Sequence, residues 1–354
     1  MTRIPVAVLG ATGNIGQRFV SLLQGHPAFE PTVLCSSDRK VGGRLGDYWR
    51  LDDVALDPDV AATELQPLDS LVLMRSGVVA AFSALPTEVA GDLEAEAARH
   101  GIKVFSNASS HRMEADVPLL VPEVNPDHVA LVERQPTYRE GGFLATNPNC
   151  SITGLALALK PLADAFDFSE VHVSTYQALS GAGYPGVPSL DIVANVVPFI
   201  ENEEEKMRQE AKKILGAWSG GVVPSPIDVW ANCVRVAVRE GHLEAVSIPL
   251  KESVDPEEVA RVLASFRGEP QRRKLPTAPK QPILVRSETN RPQPLLDANA
   301  GEPERARGMA ATVGRIRVTG RNLRFFVLSH NTLRGGAGGS VLNAELAHRR
   351  GYLA

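Results

Sequence analysis

A chain of 354 residues, 44% of them apolar and with a net charge of −4, is long enough for two domains with sizeable cores. The balanced charge argues against a surface dominated by basic residues, and so against nucleic acid as a partner. No run approaches the roughly 20 apolar residues that span a bilayer, and the apolar N-terminal run is too short for a signal peptide, so no membrane partner is expected.

In chain order, Ile4–Leu9 reads as a buried first strand and Asn14–Gln24 as the first helix. Pro31–Cys35, Ser70–Met74, Val79–Ser83 and Lys103–Ser106 read as further strands, with a polar helix over Glu88–His100 and a short strand at Phe143-Leu144-Ala145. This alternation predicts βαβ units and a parallel sheet. A helix from Ser151 to about Phe166, bent at Pro161, precedes a strand over Val171–Ala178. Arg235–Arg239 alternates like a strand and ends at Gly241. Ser247–Pro249, Ile283–Arg286, Thr312–Val318 and Leu323–Leu328 then predict a mixed or antiparallel sheet, and Leu275–Pro294 reads as a Pro-rich surface connection. The last helix is expected over Ser340–His348, packed back on the first domain. Two domains follow: residues 1–149 with a C-terminal helix from about 335 to 354, and residues 150–334.

Gly10-Ala11-Thr12-Gly13-Asn14-Ile15-Gly16 joins the first strand to the first helix. Gly10 permits a tight turn, Gly13 lets the backbone approach a phosphate, and Gly16 allows close helix–strand packing. A pyrophosphate would lie on the helix N-terminus. After the second strand, Ser36, Ser37, Arg39 and Lys40 offer hydroxyls and cations to a 2′-phosphate, which favours NADP. Asp38 keeps NAD open, since an acidic residue here can accept from ribose hydroxyls.

Three cysteines (Cys35, Cys150, Cys233) are odd in number and widely spaced, which fits reduced thiols in the cytoplasm rather than disulfides or a metal site. Cys150 follows Asn147-Pro148-Asn149 at a helix start, where free N–H groups and the helix dipole favour a thiolate and stabilise an oxyanion. A nucleotide loop with a poised thiol predicts reduction or oxidation of an acyl group held as a thioester. His242, after a strand and a glycine, is a candidate proton shuttle, although a lone loop histidine is more often a surface residue. By itself the acidic run Glu203-Glu204-Glu205 reads more readily as a solvated helix start than as a binding site.

Longer stretches carry more information. They are the glycine loop through Gln17-Arg18-Phe19, Ser106-Asn107-Ala108-Ser109 with Arg112-Met113, and Val117-Pro118-Leu119 through Pro122-Glu123-Val124-Asn125-Pro126. To these add Asn147–Ser151, Gln177–Gly186, Glu203–Lys206 and Arg334–Asn343. In these the chain resembles aspartate-β-semialdehyde dehydrogenase of the branch typical of archaea and fungi, over nearly its whole length. The resemblance implies an α/β fold: a Rossmann-like parallel-sheet nucleotide domain plus an α+β catalytic and oligomerisation domain. It implies NADPH-dependent reductive dephosphorylation of L-aspartyl 4-phosphate, with a homodimer or homotetramer as the assembly.

By the same resemblance Cys150 is the nucleophile, His242 the acid/base and Gln177 the residue orienting the acyl enzyme. Arg235 grips the substrate carboxylate, Arg112 and Asn149 lie at the phosphate, and Lys206 also meets the phosphate. Glu203 takes the ammonium, with Glu204 as the alternative. Gly10, Thr12, Gly13, Asn14, Ile15, Ser36, Ser37, Arg39, Ser180, Gly181 and Asn343 line the cofactor. Two departures stand out. Ser37-Asp38-Arg39-Lys40 replaces the usual Ser-x-Arg-Ser, and Cys233-Val234-Arg235 replaces Cys-Asn-Arg. An acyl-CoA reductase acting on malonyl-CoA, or a catalytically silent nucleotide-binding paralogue, remain the rival readings.

Overall fold

A computed structural model describes residues 3–353. The chain divides into two compact units, one of residues 1–120, 127–147 and 336–354, the other of residues 121–126 and 148–335. The segment 121–126, which the sequence reading assigns to the first domain, falls in the second unit.

In the first unit β1 (Ile4–Leu9), β2 (Phe29–Cys35), β3 (Ala80–Ser83), β4 (Lys103–Ser106) and β5 (Phe143–Thr146) form one parallel sheet in the order β2-β1-β3-β4-β5. Its strands are short and largely buried, as expected of a parallel sheet covered on both faces. The strand order reverses between β1 and β3, the switch point outside which such sheets bind ligands. Helix α1 (Asn14–Leu23) starts there and packs on the C-terminal helix Gly338–Arg349, which is buried along most of its length.

The expected strand Ser70–Met74 is instead helix α2 (Ser70–Arg75). The Asp69 carboxylate caps the Leu71 N–H at 2.8 Å, and within the helix only Ser70 and Leu73 are buried, a spacing of three. An apolar run this short has no periodicity of its own, so the cap decides. Helix α3 (Thr87–Arg99) covers β4 and β5.

The glycine turn is sterically closed. Gly10 has φ +78°, and its N–H and that of Ala11 both donate to the Cys35 carbonyl, at 3.0 and 2.9 Å. A Cβ on Gly16 would stand 2.0 Å from the Gly10 carbonyl oxygen. Gly16→Ala is therefore expected to push α1 off the turn, weakening nucleotide binding at least about tenfold and lowering Tm. Unchanged binding of 2′,5′-ADP by calorimetry would show that the turn can yield.

The second unit is built on a mixed six-stranded sheet: β6 (Glu170–Gln177), β7 (Asp228–Arg235), β8 (His242–Pro249), β9 (Ile283–Arg286), β10 (Ala311–Thr319) and β11 (Asn322–Ser329), in the order β9-β10-β11-β8-β6-β7. β6 runs parallel to β7 and β9 to β10; the remaining neighbours are antiparallel. Helices α4 (Cys150–Ala165) and α5 (Glu203–Ile214) pack on one face of it, and α6 (Pro256–Ser265) packs on α4. Gly154 brings α4 against β11, since a Cβ there would meet Ser329 Oγ at 2.3 Å.

Two expectations change here. The strand read at Arg235–Arg239 ends at Arg235 and occupies Asp228–Arg235, so His242 opens the next strand rather than lying on a loop. The Pro-rich connection is also partly interior, with Leu275, Thr277 and Ala278 buried.

Candidate active site

Cys150 is the first residue of α4, and Asn149 is its cap, the side-chain Oδ1 accepting from the N–H groups of Ser151 at 2.9 Å and Ile152 at 3.3 Å. The thiol therefore stands at the positive end of the helix dipole without itself serving as a cap. Its Sγ lies 3.2 Å from His242 Nε2. The other ring nitrogen, Nδ1, accepts the Ala178 N–H at 3.0 Å. A neutral ring so held carries its proton on Nε2, facing the sulfur.

Burial, and then the neighbouring Arg235 guanidinium and His330, push His242 down to about 3, so the ring is neutral at physiological pH. Cys150 is partly exposed, whereas burial pushes Cys35 and Cys233 up to about 12 and keeps both as thiols.

The strand register explains why these side chains converge. Gln177 pairs with Arg235 across β6 and β7; Tyr176 pairs with Leu243 and His242 with Ser329, which puts Gln177, Arg235 and His242 in one row on the buried face. Arg235 Nη1 donates to the Ala178 carbonyl at 2.7 Å. A Cβ on Gly181 would stand 2.9 Å from Arg235 Nη1 and 3.1 Å from His242 Cε1, so only glycine leaves both side chains open. Ser180 Oγ donates to Glu240 Oε2 and accepts from Asn331 Nδ2, each at 2.7 Å.

Helix α5 turns its stripe of Glu203, Met207, Glu210, Ala211 and Ile214 inward. Glu203 Oε2 accepts from Asn149 Nδ2 at 2.8 Å and its Oε1 from Gln177 Nε2 at 2.9 Å. Glu204 faces elsewhere: its Oε1 accepts the Cys233 N–H at 3.1 Å. Lys206 is partly exposed, one turn along from Glu203. Glu210 Oε2 accepts the Asn149 N–H at 2.6 Å, so two carboxylates of one helix hold the residue before the cysteine.

A second device holds Cys150 from the other side. Gly335 lies so close that a Cβ there would be 2.8 Å from Cys150 Cα and Cβ. The preceding Arg334 is fully buried and forms a two-pronged ion pair with Glu123, at 2.9 and 2.6 Å, with Gln271 Nε2 also donating to Glu123 at 3.2 Å. Glu123→Gln leaves the Arg334 charge uncompensated, and a loss of about 3–5 kcal/mol is expected in denaturant unfolding. Adding Arg334→Met should restore part of it; a single variant as stable as the parent would show the pair to be relaxed.

The first unit carries the nucleotide-type residues. α1 has Gly13 at its N-cap, with no side-chain cap and no acidic residue in its first turn, which suits a pyrophosphate. Thr12 Oγ1 lies 2.9 Å from Ser36 Oγ and accepts from Lys40 Nζ at 2.8 Å. Ser37, Asp38 and Arg39 are exposed just beyond β2. Asn343, on the C-terminal helix, is buried with its Oδ1 lacking a hydrogen-bond partner. These features fit a dinucleotide. Arg112 also belongs to this unit, where its Nη2 donates to the Asn107 carbonyl at 2.7 Å.

Cys150, His242, Gln177, Arg235, Asn149, Glu203, Lys206, Ser180 and Gly181 thus belong to the second unit, and Arg112, Asn343 and the Gly10–Arg39 set to the first. Glu210, Glu240, Asn331, Glu123 and Arg334 escaped the sequence reading as separate contributors, because their spacing to the cysteine is long and nothing local marks them. Among the described residues no cluster of three metal-ligating side chains occurs, and no helix is long and apolar enough to cross a membrane.

Comparison with known proteins agrees with this architecture. Residues 5–132 match the semialdehyde dehydrogenase NAD-binding domain and residues 159–334 the semialdehyde dehydrogenase dimerisation domain. The chain is 46% identical to aspartate-semialdehyde dehydrogenase of Methanothermobacter thermautotrophicus, over 97% of this chain and 98% of the relative. It is 40% identical to malonyl CoA reductase (NADP) of Metallosphaera sedula, over 99% and 98%. The crystal structure of aspartate semialdehyde dehydrogenase with NADP from Candida albicans superposes with a TM-score of 0.87 at 36% identity, covering 99% of this chain and all (100%) of that one. A thiol at a helix N-terminus beside a buried imidazole, and a glycine turn at the switch point of a parallel sheet, are the two halves of this architecture: the chain belongs to the aspartate-semialdehyde dehydrogenase family.

Proposed function

We propose that the protein catalyses the NADPH-dependent reductive dephosphorylation of L-aspartyl 4-phosphate to L-aspartate 4-semialdehyde, through a thioester on Cys150. The observation that carries this is the 3.2 Å approach of Cys150 Sγ to the Nε2–H of His242. With the ring proton fixed on Nε2, His242 donates to the sulfur and stabilises its charge. The thiolate attacks the acyl carbon, the C–S bond forms, and the C–O bond breaks as phosphate leaves with its electron pair. An acyl phosphate is reactive enough for this without a metal.

Arg235 holds the α-carboxylate with its planar fork, and Glu203 holds the α-ammonium. Gln177, fixed by Glu203, orients the acyl group. Lys206, Arg112 and Asn149 meet the phosphate. NADPH, when bound by the residues of the glycine turn with Ser36, Ser37, Arg39 and Asn343, supplies the hydride that reduces the thioester. Nε2–H and the α4 N-terminus stabilise the oxygen that gains charge, and the thiolate leaves with the C–S electron pair as the aldehyde forms. The active form is a homodimer or homotetramer in the cytoplasm, where three thiols outside any disulfide persist.

The test is phosphate-dependent reduction of NADP with aspartate semialdehyde, run beside malonyl-CoA-dependent oxidation of NADPH. Activity with the semialdehyde is expected. Activity with malonyl-CoA alone would replace the substrate while keeping the thioester, and neither activity would favour a silent paralogue.

A further inference from the structure

One buried carboxyl has no part in the steps above. Glu244 sits on β8 two residues beyond His242, facing the same side of the sheet. Its register partners are Thr175 on β6 and Val327 on β11, and Thr175 in turn pairs with Cys233 on β7. Cys233, Thr175 and Glu244 thus form a second row directly behind Arg235, Gln177 and His242. The residue is 2% exposed, its Oε2 has no hydrogen-bond partner, and among the described residues no cation pairs with it.

An ionised carboxylate with no paired cation and an oxygen that accepts no hydrogen bond is strongly disfavoured in such a place. Of the groups around it, Glu203 opposes a second negative charge there. Helix α5 presents Glu203 and Glu210 to this face, β7 presents Cys233 and Arg235, α4 presents Cys150, and β8 itself carries His242. Thr175, Gln177, Val327 and Ser329 complete the surround without charge. Burial and then the charge of Glu203 both raise the Glu244 carboxyl well above its ordinary value.

We propose that Glu244 is a positioning residue, a neutral carboxylic acid behind the catalytic row whose proton keeps a second negative charge away from the Glu203 side chain that fixes Asn149 and Gln177. The proposal rests on the reading of Glu203 as the ammonium ligand. If Glu244 loses its proton at high pH, two like charges face each other in one low-dielectric region and repel. That repulsion draws the Glu203 side chain off the two amides that it holds. Activity should therefore decline on the alkaline side through this pair.

The experiment combines infrared titration of the ¹³C-glutamate-labelled protein with kinetics of Glu244→Gln, an uncharged variant of the same shape. A protonated-carboxyl stretch is expected at pH 7, absent in E244Q. In E203Q its loss should move to lower pH. E244Q should keep kcat/KM at pH 7 within about threefold and move the alkaline decline upward. Absence of the band, a band that E244Q leaves in place, or a loss above about tenfold at pH 7 would each overturn the proposal. Should E244Q fail to fold, the E203Q titration decides it alone, since an unmoved band means the two carboxyls are not paired. A band that behaves as expected in a protein without semialdehyde activity would retain the neutral Glu244 and reject the substrate reading.

Discussion

Replacing Cys150 by alanine should lower phosphate-dependent turnover by about 10⁴-fold or more, because the other thiol on this sheet face, Cys233, is buried and held protonated. The protein should still fold and bind NADP. The helix that starts at this residue is capped by Asn149, whose Oδ1 serves the Ser151 and Ile152 N–H groups, so deleting a sulfur atom removes no hydrogen bond from α4. The glycine turn proposed to bind the nucleotide belongs to the other unit. Selective alkylation gives an independent view. Cys35 and Cys233 are buried and held as thiols far above neutral pH, whereas Cys150 is partly exposed at a helix N-terminus beside a donor. Mass spectrometry after iodoacetamide at pH 7 should find one adduct, on Cys150, with activity lost in proportion. Full activity after stoichiometric labelling of Cys150, or turnover by the alanine variant within about a hundredfold of the parent, would remove the thioester from the mechanism.

What was legible in the sequence was what short-range physics dictates. The turn at Gly10–Gly16 is constrained by its own backbone, since Gly10 needs a positive φ and Gly16 has no room for a side chain, and both constraints show as glycines. Cys150 at a helix start was readable because Asn149, one residue away, is a cap. Strand β7 was misplaced for the opposite reason. Arg235 ends an alternation that begins at Asp228, and Asn232 and Val234 blur its period, while the cleaner pattern downstream is a turn. Ser70–Met74 failed because a four-residue apolar run takes its conformation from the Asp69 cap. The supports of the cysteine were the least legible. Glu123 and Arg334 are 211 residues apart, and Glu210 reaches Asn149 across 61. Such pairs exist only after the chain has folded, and a lone acidic residue in a helix looks like any solvated one until its burial is known.

His242→Asn should cost about 10²- to 10⁴-fold in kcat with a smaller change in KM, as expected for a group whose hydrogen bond matters most when charge develops on sulfur and oxygen. Because the ring is buried, with Nδ1 already accepting the Ala178 N–H, the proton on Nε2 is retained throughout the neutral range. The parent's kcat/KM should therefore show no inflection near 6.5 attributable to this histidine. Stability carries the complementary signature. His242 falls from 6.5 to about 3 on folding, so between these values the unfolded chain binds a proton that the folded one does not. The contribution of the neutral ring is fully present above 6.5 and is lost as pH falls towards 3, at up to about 1.4 kcal/mol per pH unit. Urea unfolding at pH 5 and at pH 7.5 should thus show the stability gap between parent and H242N moving in the parent's disfavour at the lower pH. A gap independent of pH, together with an activity inflection near 6.5 that H242N abolishes, would mean that the ring titrates freely. In that case Nδ1 must surrender the Ala178 hydrogen bond when protonated, and His242 would act as a mobile base rather than a fixed donor.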